Sequence, residues 1–512
     1  MDRAKAKKIR NIRVIATNIF MSISVVAIVF VLMLIAMGFT FNESGGLEQA
    51  GLAQIVSHPS GANVEIDGNN QISRTEFSKM LSAGKHKIRI SKSGYDAWEK
   101  DLKIDAGLLT RVEWVRLFPK HFESNEVLNF DNLQFASFSA DRKHLLALEK
   151  DSSTLKYIDI QADQPHGNDL SLKECLNGKN KLGQNSTFSI ISWNDDNSKV
   201  IAKLTTDDKS SWHIINLNHP DRSVNLTQKF NLDFESILIA NDSASKLWVL
   251  ENGNLRIIDV DNLTISGSIA SNILKIAHNK NVASFINYEE KTNDKNEPVK
   301  EYRLNVFKEG EQGYTTVADL SNINDETVFR LTMGTYWSEE WLAYSVDEQL
   351  VIISGKYPSY EKDKASSLKE RLNHRLGFTP QLASVNANQR ILILAGDENM
   401  FSYDLETKDN YSIKIASKLT NITWLDDYLL WQNIDNAIVT RDFDGDNRRE
   451  IVPNVSNPFP AVISENNRYL YYFDMTETES VTEGTDSPSD ADPTTNTEKN
   501  LKYILKRQKL EI

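Results

Sequence analysis

The stretch WNDDNSKVIAKL, from Trp193 to Leu204, contains the pattern that decides the fold of this chain. An aromatic residue is followed by a polar turn and then by a run in which Val200, Ala202 and Leu204 alternate with other residues. Asp, Asn and Ser favour tight turns because their side chains hydrogen-bond to nearby backbone, and apolar residues at alternate positions are typical of a strand. The stretch therefore predicts two strands joined by a polar turn.

The same pattern occurs eight times along the chain. Its copies begin at Phe138, Trp193, Ala240, Ala277, Trp337, Val385, Trp424 and Ile463. Consecutive starts are separated by 55, 47, 37, 60, 48, 39 and 39 residues. A unit repeated about every 40–45 residues is typical of a β-propeller, in which each four-stranded blade buries its faces against its neighbours. We predict a mainly β protein with a propeller over residues 119–512, with eight blades favoured and seven as the alternative.

The predicted last blade has only three strands of its own, in PAVISENN, RYLYYFDM and LKYILKRQKL. The segment EVLNF, which begins at Glu126, precedes the first copy and can supply the fourth. We predict that this outer strand joins the last blade and closes the ring. The acidic and polar residues 476–500 are predicted to form a disordered loop inside that blade.

The repeated units resemble the blades of TolB-like and WD-type propellers. The TolB likeness is clearest in NAIVTRDFDGDNRREI, residues 436–451, where a strand leads through an Asp-x-Asp-Gly turn to two arginines. The resemblance implies a fold more than a function, because one fold carries many functions.

The amino-terminal region has the composition of a membrane anchor. Residues 1–13 are basic, and residues 14–41 are apolar and uncharged. About 20 apolar residues cross a bilayer as a helix, and a basic flank stays in the cytoplasm. We predict a single-pass anchor with a cytoplasmic amino terminus, a flexible linker at residues 42–52 and an extracytoplasmic bulk. The alternative is a cleaved signal peptide, whose apolar region is usually only about 7–15 residues long.

A small β domain is predicted at residues 53–118. The apolar residues of NVEIDG alternate up to Asp67-Gly68, which is a hairpin turn signal, and Ile88 and Ile90 alternate in a later strand. Further strands are predicted around Trp98 and from Arg111 onward. Several short strands within about 65 residues predict a small antiparallel sandwich.

This region resembles the PEGA domain. The resemblance rests on Pro59-Ser60-Gly61-Ala62, Val64-Glu65-Ile66-Asp67-Gly68, Gly84-Lys85-His86-Lys87-Ile88 and Gly94-Tyr95. The sequence departs from the family where Ser60 replaces the Glu of the motif and where Thr75-Glu76 replaces a common Thr-Pro. The resemblance implies a non-catalytic, surface-exposed module of envelope proteins that contacts surface layers or cell wall.

The charge distribution restricts the possible partners. The chain has a net charge of −13, but the residues up to Phe41 carry six basic side chains and one acid, so the remainder carries −18. This balance argues against a nucleic-acid partner, because binding to a phosphate backbone needs a basic face. The single cysteine, Cys175, excludes an intramolecular disulfide and is predicted to be a buried thiol.

Few side chains qualify as candidate site residues. Asp442, Asp444 and Asp446 suggest calcium, but Gly445 stands at position four instead of six of an EF-hand loop, so a hairpin turn is favoured. His86 lies between lysines and is predicted to be solvated. Five tryptophans at repeat positions are expected in the core, with carbohydrate stacking as the alternative: Trp193, Trp248, Trp337, Trp424 and Trp431.

The sequence contains no Gly-x-Ser-x-Gly, no His-Glu-x-x-His and no glycine-rich phosphate loop. We therefore predict that the protein is not an enzyme, with no catalytic, cofactor-binding or metal residues and no cofactor. The expected function is a membrane-anchored extracytoplasmic binding or scaffold protein that contacts the cell wall, the surface layer or envelope proteins. One alternative is a docking factor for envelope assembly. A second is a propeller enzyme acting on wall polysaccharide, which requires carboxylates or histidines that converge in the central funnel.

Overall fold

The chain divides into two compact units, Met1–His121 with Glu511–Ile512 and Phe122–Leu510. The first contains a helix and a small β domain, and the second is a β-propeller. The computed structural model describes residues 2–41, 46–121, 123–183, 185–292, 297–360, 367–415, 423–455, 459–478 and 500–511.

Helix α1 spans Asp2–Ala36. Its part Arg13–Ala36 has 24 residues with a mean hydropathy of 3.0, which by length and composition is enough to cross a membrane. At a rise of about 1.5 Å per residue this part is about 36 Å long, against about 30 Å for a bilayer core. The helix ends before residue 41, where the apolar segment ends, because Gly38 (φ +80°) turns the chain into strand β1 (Phe39–Phe41).

The small domain has two four-stranded sheets. In one sheet β2 pairs with β1, β5 and β8, and in the other the order is β4-β3-β6-β7. The remaining strands in chain order are β2 (Leu47–His58), β3 (Asn63–Ile66), β4 (Asn69–Arg74), β5 (Phe77–Ser82), β6 (Gly84–Ser91), β7 (Trp98–Ile104) and β8 (Leu109–Arg116).

Two features of this domain differ from the sequence predictions. Residues 47–52 were expected in a flexible linker, but they form the first half of β2, where Ala50 is buried and pairs with Ser82 of β5. Residues 42–45 of that linker lie outside the described residues. The sandwich is also not purely antiparallel, because β2 and β8 run parallel; between them the chain forms β5 of the same sheet and the four strands of the other sheet.

The hairpin turn predicted at Asp67-Gly68 is confirmed, with both residues in the left-handed region at φ +50° and +80°. The prediction for His86 is wrong, because its side chain is only 12% exposed. Its Nδ1 lies 2.6 Å from Asp67 Oδ2, and its Nε2 lies 2.8 Å from the Ser82 carbonyl oxygen. Burial opposes the charged imidazole, but these two contacts outweigh it and raise the pKa of His86. The ring thus holds the hairpin turn against β6.

The propeller unit begins with β9 (Ser124–Asp131) and continues through eight blades, each a four-stranded antiparallel sheet within the described residues. Blades 1 to 4 are β10–β13 (Leu133–Phe138, His144–Glu149, Thr154–Asp159, His166–Ser171), β14–β17 (Ser186–Trp193, Lys199–Thr206, Lys209–Asn216, Val224–Asn225), β18–β21 (Phe234–Ile239, Lys246–Glu251, Asn254–Asp259, Thr264–Ile265) and β22–β25 (Ile273–Asn279, Val282–Thr292, Pro298–Lys308, Thr315–Leu320).

Blades 5 to 7 have the same order of strands, and blade 8 takes β9 as its last strand. Their strands are β26–β29 (Phe329–Tyr336, Glu339–Val346, Gln349–Gly355, Lys369–Arg375), β30–β33 (Leu382–Val385, Ile391–Ala395, Asn399–Asp404, Asn410–Lys414), β34–β37 (Thr423–Trp424, Leu429–Ile434, Ala437–Asp442, Arg449–Val452) and β38–β40 (Val462–Ile463, Tyr469–Thr478, Asn500–Lys509). Short helices lie between strands at α2 (Leu172–Cys175), a 3₁₀ turn (Pro220–Arg222) and α3 (Leu226–Phe230).

The strand that closes the ring is the one predicted from sequence. β9 pairs antiparallel with β40, from Asp131 opposite Lys502 to Ser124 opposite Gln508. The ends of the segment 476–500, predicted to be a disordered loop, belong to strands instead, because β39 extends to Thr478 and β40 begins at Asn500. Residues 479–499 of the insertion lie outside the described residues.

The first strand of each blade lies toward the centre of the propeller. Contacts join β10 to β14, β14 to β18, β22 to β26 and β26 to β30. Because neighbouring strands are antiparallel, the connections between first and second strands emerge on one face, which we call the turn face. The connections between second and third strands emerge on the other side, which we call the opposite face.

Aromatic side chains bind each blade to the next. The indole N–H of Trp248 donates to the Lys280 carbonyl oxygen at 3.0 Å, and that of Trp341 donates to the Gln389 carbonyl oxygen at 3.2 Å. Across the closure, the Tyr471 hydroxyl donates to the Ile160 carbonyl oxygen at 2.7 Å. Each donor is buried and each acceptor belongs to the neighbouring blade, so these bonds fix the blades relative to one another.

We predict that Phe130→Ala destabilises the propeller by about 3–5 kcal/mol, because it removes a buried ring from the closing strand. Phe130 is 1% exposed, and its ring centroid lies 6.0 Å from that of Phe473. Urea unfolding measures the loss. The control is Asn129→Ala, an exposed position on the same strand where a change within about 0.5 kcal/mol is expected. Equal effects of the two substitutions would contradict a stabilising role for the closure.

Candidate functional site

The polar turn of the repeat has one geometry in five blades. In blade 2, the Asn194 side-chain oxygen accepts a hydrogen bond from the Lys199 backbone N–H at 2.8 Å, and Asn197 is left-handed at φ +55°. The other four turns repeat both features, the acceptor at the first position and the left-handed residue at the fourth. These residue pairs are Ser139 and Arg142, Asn241 and Ala244, Asn386 and Gln389, and Ser464 and Asn467.

Four of these turns, those of blades 1, 2, 3 and 6, bring polar side chains together on the turn face. A cleft of about 510 Å³ lies there, lined by blades 1, 2, 3, 4 and 6. This volume is within the usual range of ligand sites, about 300–1,000 Å³. The side chains that line it are mainly carboxylates and amides, with one indole and one imidazole: Asp141, Trp193, Asn194, Asp195, Asn197, Asn241, Asp242, His278, Asn279, Lys280 and Gln389.

The cleft is electronegative. It contains three carboxylates and one cation, Lys280, whose Nζ lies 3.1 Å from Asp242 Oδ1. Burial and the neighbouring Asp242 raise the pKa of Asp195. Burial also acts to raise the pKa of Asp141. Hydrogen bonds from Ser139 and other donors outweigh this effect, so the pKa of Asp141 is lowered. The cleft therefore suits a neutral hydroxyl-rich ligand or a cation better than an anion.

Trp337 lies in a shorter turn, the two residues between β26 and β27 of blade 5. Its side chain is 78% exposed, and its backbone is left-handed at φ +54°. Bulky residues rarely adopt this conformation, and hairpin turns of two residues normally place Gly or Asn there. The prediction of a core tryptophan is wrong at this position. A side chain at the tip of a two-residue turn points away from the two strands that the turn connects.

The other four repeat tryptophans differ from Trp337. Trp248 and Trp431 are buried, as predicted, and Trp193 and Trp424 are half-buried. The last two sit at the end of a first strand, and each indole N–H donates to a serine hydroxyl on the first strand of the preceding blade. This confirms that the aromatic residue before the turn packs between neighbouring blades.

Hydrogen bonds connect the Trp337 turn to the cleft. Thr335 lies two residues before Trp337 on β26, and its hydroxyl accepts from Asn279 Nδ2 at 2.7 Å. Its backbone N–H donates to Gln389 Oε1 at 2.6 Å. Asn279 and Gln389 both line the cleft, so the strand that leads to Trp337 is bonded to two of its lining residues, although Trp337 itself does not line it. The sequence contained a sign that the turn of blade 5 is different. In WSEEW, which begins at Trp337, too few residues follow the aromatic to form the longer turn found in five of the other blades.

The remaining candidate residues take structural roles. Asp442 and Asp446 close a turn through a backbone hydrogen bond of 3.0 Å, and Gly445 is left-handed at φ +90°, as a hairpin turn requires. Within the described ranges, no three His, Cys, Asp or Glu side chains are placed to hold a metal ion. Cys175 is buried as predicted, and burial raises the pKa of its thiol to about 12.

Comparison with known proteins supports the composite architecture. Residues 51–115 match the model of the PEGA domain, which confirms the resemblance seen in the sequence. A comparison with curated proteins gave no match. The chain therefore combines a PEGA domain, a helix apolar enough to cross a membrane and a β-propeller.

Three solved structures illustrate the similarity of fold. Dipeptidyl peptidase 4 of Porphyromonas gingivalis is 9% identical with a TM-score of 0.46, over 68% of this chain and 56% of that one. An oligogalacturonate lyase in complex with manganese is 11% identical with a TM-score of 0.38, over 76% and 98%. PorZ, a surface component of the type-IX secretion system of P. gingivalis, is 11% identical with a TM-score of 0.37, over 69% and 43%. The match spans less than half of PorZ, and nothing about function follows from these likenesses.

His278, which lies at the end of β22, makes the stability of the folded protein depend on pH. Its Nδ1 has no hydrogen-bond partner among the described residues, and burial lowers the pKa of the imidazole to about 4. An unfolded histidine titrates near pH 6.5, so between pH 6.5 and 4 the unfolded chain binds more protons than the folded one. Stability contributed by the neutral ring is therefore lost as the pH falls through this interval.

We predict that His278→Gln reduces the loss of stability between pH 7 and pH 4 by roughly 3 kcal/mol, because a neutral amide has no proton to bind. Urea unfolding at both pH values measures the difference. His166→Gln is the control, since His166 is exposed and its substitution is expected to leave the pH dependence unchanged. If the stability of the His278 variant depended on pH as that of the wild type does, the role assigned to His278 would be contradicted.

Proposed function

We propose that the protein is a membrane-anchored, extracytoplasmic, non-catalytic binding protein of the cell envelope, and that the turn face of the propeller is its binding surface. The observation that carries this proposal is the exposed, left-handed Trp337 on the same face of the propeller as the polar cleft. Backbone strain in a bulky residue is retained where a function needs it, and exposed aromatics are typical anchors of binding sites.

The lining of the cleft favours a hydroxyl-rich ligand, such as a polymer of the cell wall or surface layer. Carboxylate and amide side chains offer both acceptors and donors to hydroxyl groups, and an indole face packs on the apolar side of a sugar ring. The excess of carboxylates disfavours polyanions. An envelope protein that presents a polar surface is the alternative occupant, in which case the propeller acts as a docking factor for envelope assembly.

The PEGA domain supports a location next to the membrane. The backbone N–H of Ala50 on β2 donates to the Gly38 carbonyl oxygen at 2.8 Å, so the sheet begins where α1 ends. Beside this point Leu52 pairs in register with Met80 and Leu109, and all three side chains are exposed. An exposed apolar row at a helix exit is suited to the bilayer interface, where apolar groups gain from partial burial.

A second candidate function, an enzyme that acts on wall polysaccharide, is favoured by one observation. Asp195 and Asp242 influence each other inside the cleft, and the raised pKa of Asp195 is a property of general acids. Release of soluble sugars from isolated cell envelopes separates the two functions. Sugar release by the wild type that is lost in Asp195→Asn supports the enzyme, and its absence leaves binding as the function.

We predict that Trp337→Asn weakens co-sedimentation of the full chain with cell envelopes of the source organism by roughly 30-fold, the effect of removing an aromatic hot spot. The melting temperature is expected to be unchanged or higher, because Asn tolerates the left-handed conformation better than Trp.

Trp337→Phe is the matched control, since it keeps an aromatic face in the same turn and is expected to retain most of the binding. Wild-type binding by the Asn variant would show that the turn face is not the binding surface. Binding by Met1–His121 alone would assign envelope contact to the PEGA domain instead.

We predict that the chain isolated from membranes retains residues 1–41 and resists alkaline washing, because a 24-residue apolar helix spans the bilayer. Intact mass measurement is the test. A mature chain that begins near Met37-Gly38 would establish the cleaved signal peptide and remove the single-pass topology.

A further inference from the structure

A second pocket, of about 450 Å³, lies on the opposite face between blades 4 and 5. It is formed by the beginnings of β22 and β26, the far end of the β23–β24 hairpin and the connection that leads into β26. Its charged side chains are three cations and one carboxylate: Lys275, Lys300, Arg330 and Asp325. This excess of positive charge contrasts with the −18 carried by the chain beyond Phe41.

Lys275 is a half-buried cation for which the described residues provide no counter-ion. It makes no hydrogen bond or ion pair with any residue that the structure describes. Burial and the neighbouring Arg330 lower the pKa of its ammonium group. A desolvated charge without a partner is unfavourable for folding, so its presence needs a reason other than stability.

Arg330 is fixed in orientation and forms no ion pair with any residue that the structure describes. Its Nη1 donates to the Phe329 carbonyl oxygen and its Nη2 to the Gln381 carbonyl oxygen, both at 2.8 Å. Neither acceptor carries a charge, and burial lowers the pKa of the guanidinium. The two carbonyl groups hold the side chain in place and leave other N–H groups of the guanidinium for a ligand.

Two tyrosines complete the pocket. The rings of Tyr288 and Tyr302 lie 5.8 Å apart, and Lys300 Nζ lies 4.6 Å from the Tyr288 ring centroid. Neither phenolic hydroxyl has a hydrogen-bond partner in the described part of the chain. The pocket thus offers ammonium, guanidinium and hydroxyl donors together with an aromatic wall, and among the described residues Asp325 forms no ion pair with these cations.

We propose that this pocket binds a phosphate ester, with Lys275 and Arg330 holding the phosphoryl group and the two tyrosines packing on the attached organic group. The net charge of the lining matches a phosphate group, which carries about −1.5 to −2 at neutral pH, better than a carboxylate. A tetrahedral oxyanion also uses donors that come from several directions. The pocket is larger than the phosphoryl group alone requires, so it accommodates a polyol or sugar. The site is separate from the turn face and does not rest on the function proposed for it.

The test measures the melting temperature of the full chain in phosphatidylcholine nanodiscs as glycerol 3-phosphate is added at constant ionic strength. A ligand that binds only the folded state raises the melting temperature in a saturable way. We expect this rise in the wild type, and we expect Lys275→Gln to weaken the binding by roughly tenfold or more. Without ligand, Lys275→Gln is expected to melt at the same or a higher temperature, because it removes a half-buried charge that pairs with no described residue.

Two controls make the result specific. Lys275→Arg restores a cation at the same position and is expected to recover part of the response. Lys209→Gln removes an exposed lysine of blade 2 and is expected to respond as the wild type. No rise in the wild type, an equal rise in Lys275→Gln, or an equal rise with acetate would each overturn the proposal.

The lipid composition of the nanodiscs shows whether the bound phosphate belongs to a lipid headgroup or to another phosphate ester. If nanodiscs containing phosphatidylglycerol raise the melting temperature before any ligand is added, and this depends on Lys275, the site takes a lipid headgroup. If only glycerol 3-phosphate raises it, the site takes a soluble or polymer-borne phosphate ester.

Discussion

The propeller depends on a hydrogen bond inside a turn. In five blades the first residue of the turn, Ser or Asn, accepts from the backbone N–H five residues later, while the fourth residue is left-handed. This side-chain acceptor satisfies a backbone donor that the reversing chain leaves unpaired, and it fixes where the second strand begins. Buried aromatics of one blade then donate to backbone carbonyls at or near the turn of the next, as Trp248 does to Lys280. One local constraint therefore sets both the shape of each blade and its contact with its neighbour.

The same turns form the candidate binding surface. Because they all emerge on one face beside the innermost strands, their polar side chains converge without any special arrangement. The departures from the common turn carry the distinctive features of that surface. Blades 4 and 5 have two-residue connections, and in blade 5 this exposes Trp337 instead of burying it. The opposite face is locally cationic, since Lys275 and Arg330, which form no ion pair with any described residue, lie together where first strands begin.

Local patterns predicted much of the fold correctly. The repeat, the hairpin at Asp67-Gly68 and the closing strand EVLNF depend on alternation and turn chemistry, which act over a few residues. The errors arose where neighbours distant in sequence decide the outcome. His86 looked solvated between two lysines, but Asp67, 19 residues away, pairs with its ring. Residues 47–52 looked like a linker by composition, but pairing with β5 and β8 makes them a strand.

By itself, the sequence determined the membrane-length helix, the PEGA domain and the order of the repeated strand–turn–strand units. These features depend on the local physics of hydrophobic length, alternation and turn preference. Only the tertiary structure decided which side chains meet. Asp195, Asp242 and Gln389 share a cleft and Lys275 lies beside Arg330, although the repeat pattern does not show which turns or strands meet. The reason is that a propeller brings blades distant in sequence to one axis, and the charges and exposure at that axis follow from the packing of the ring.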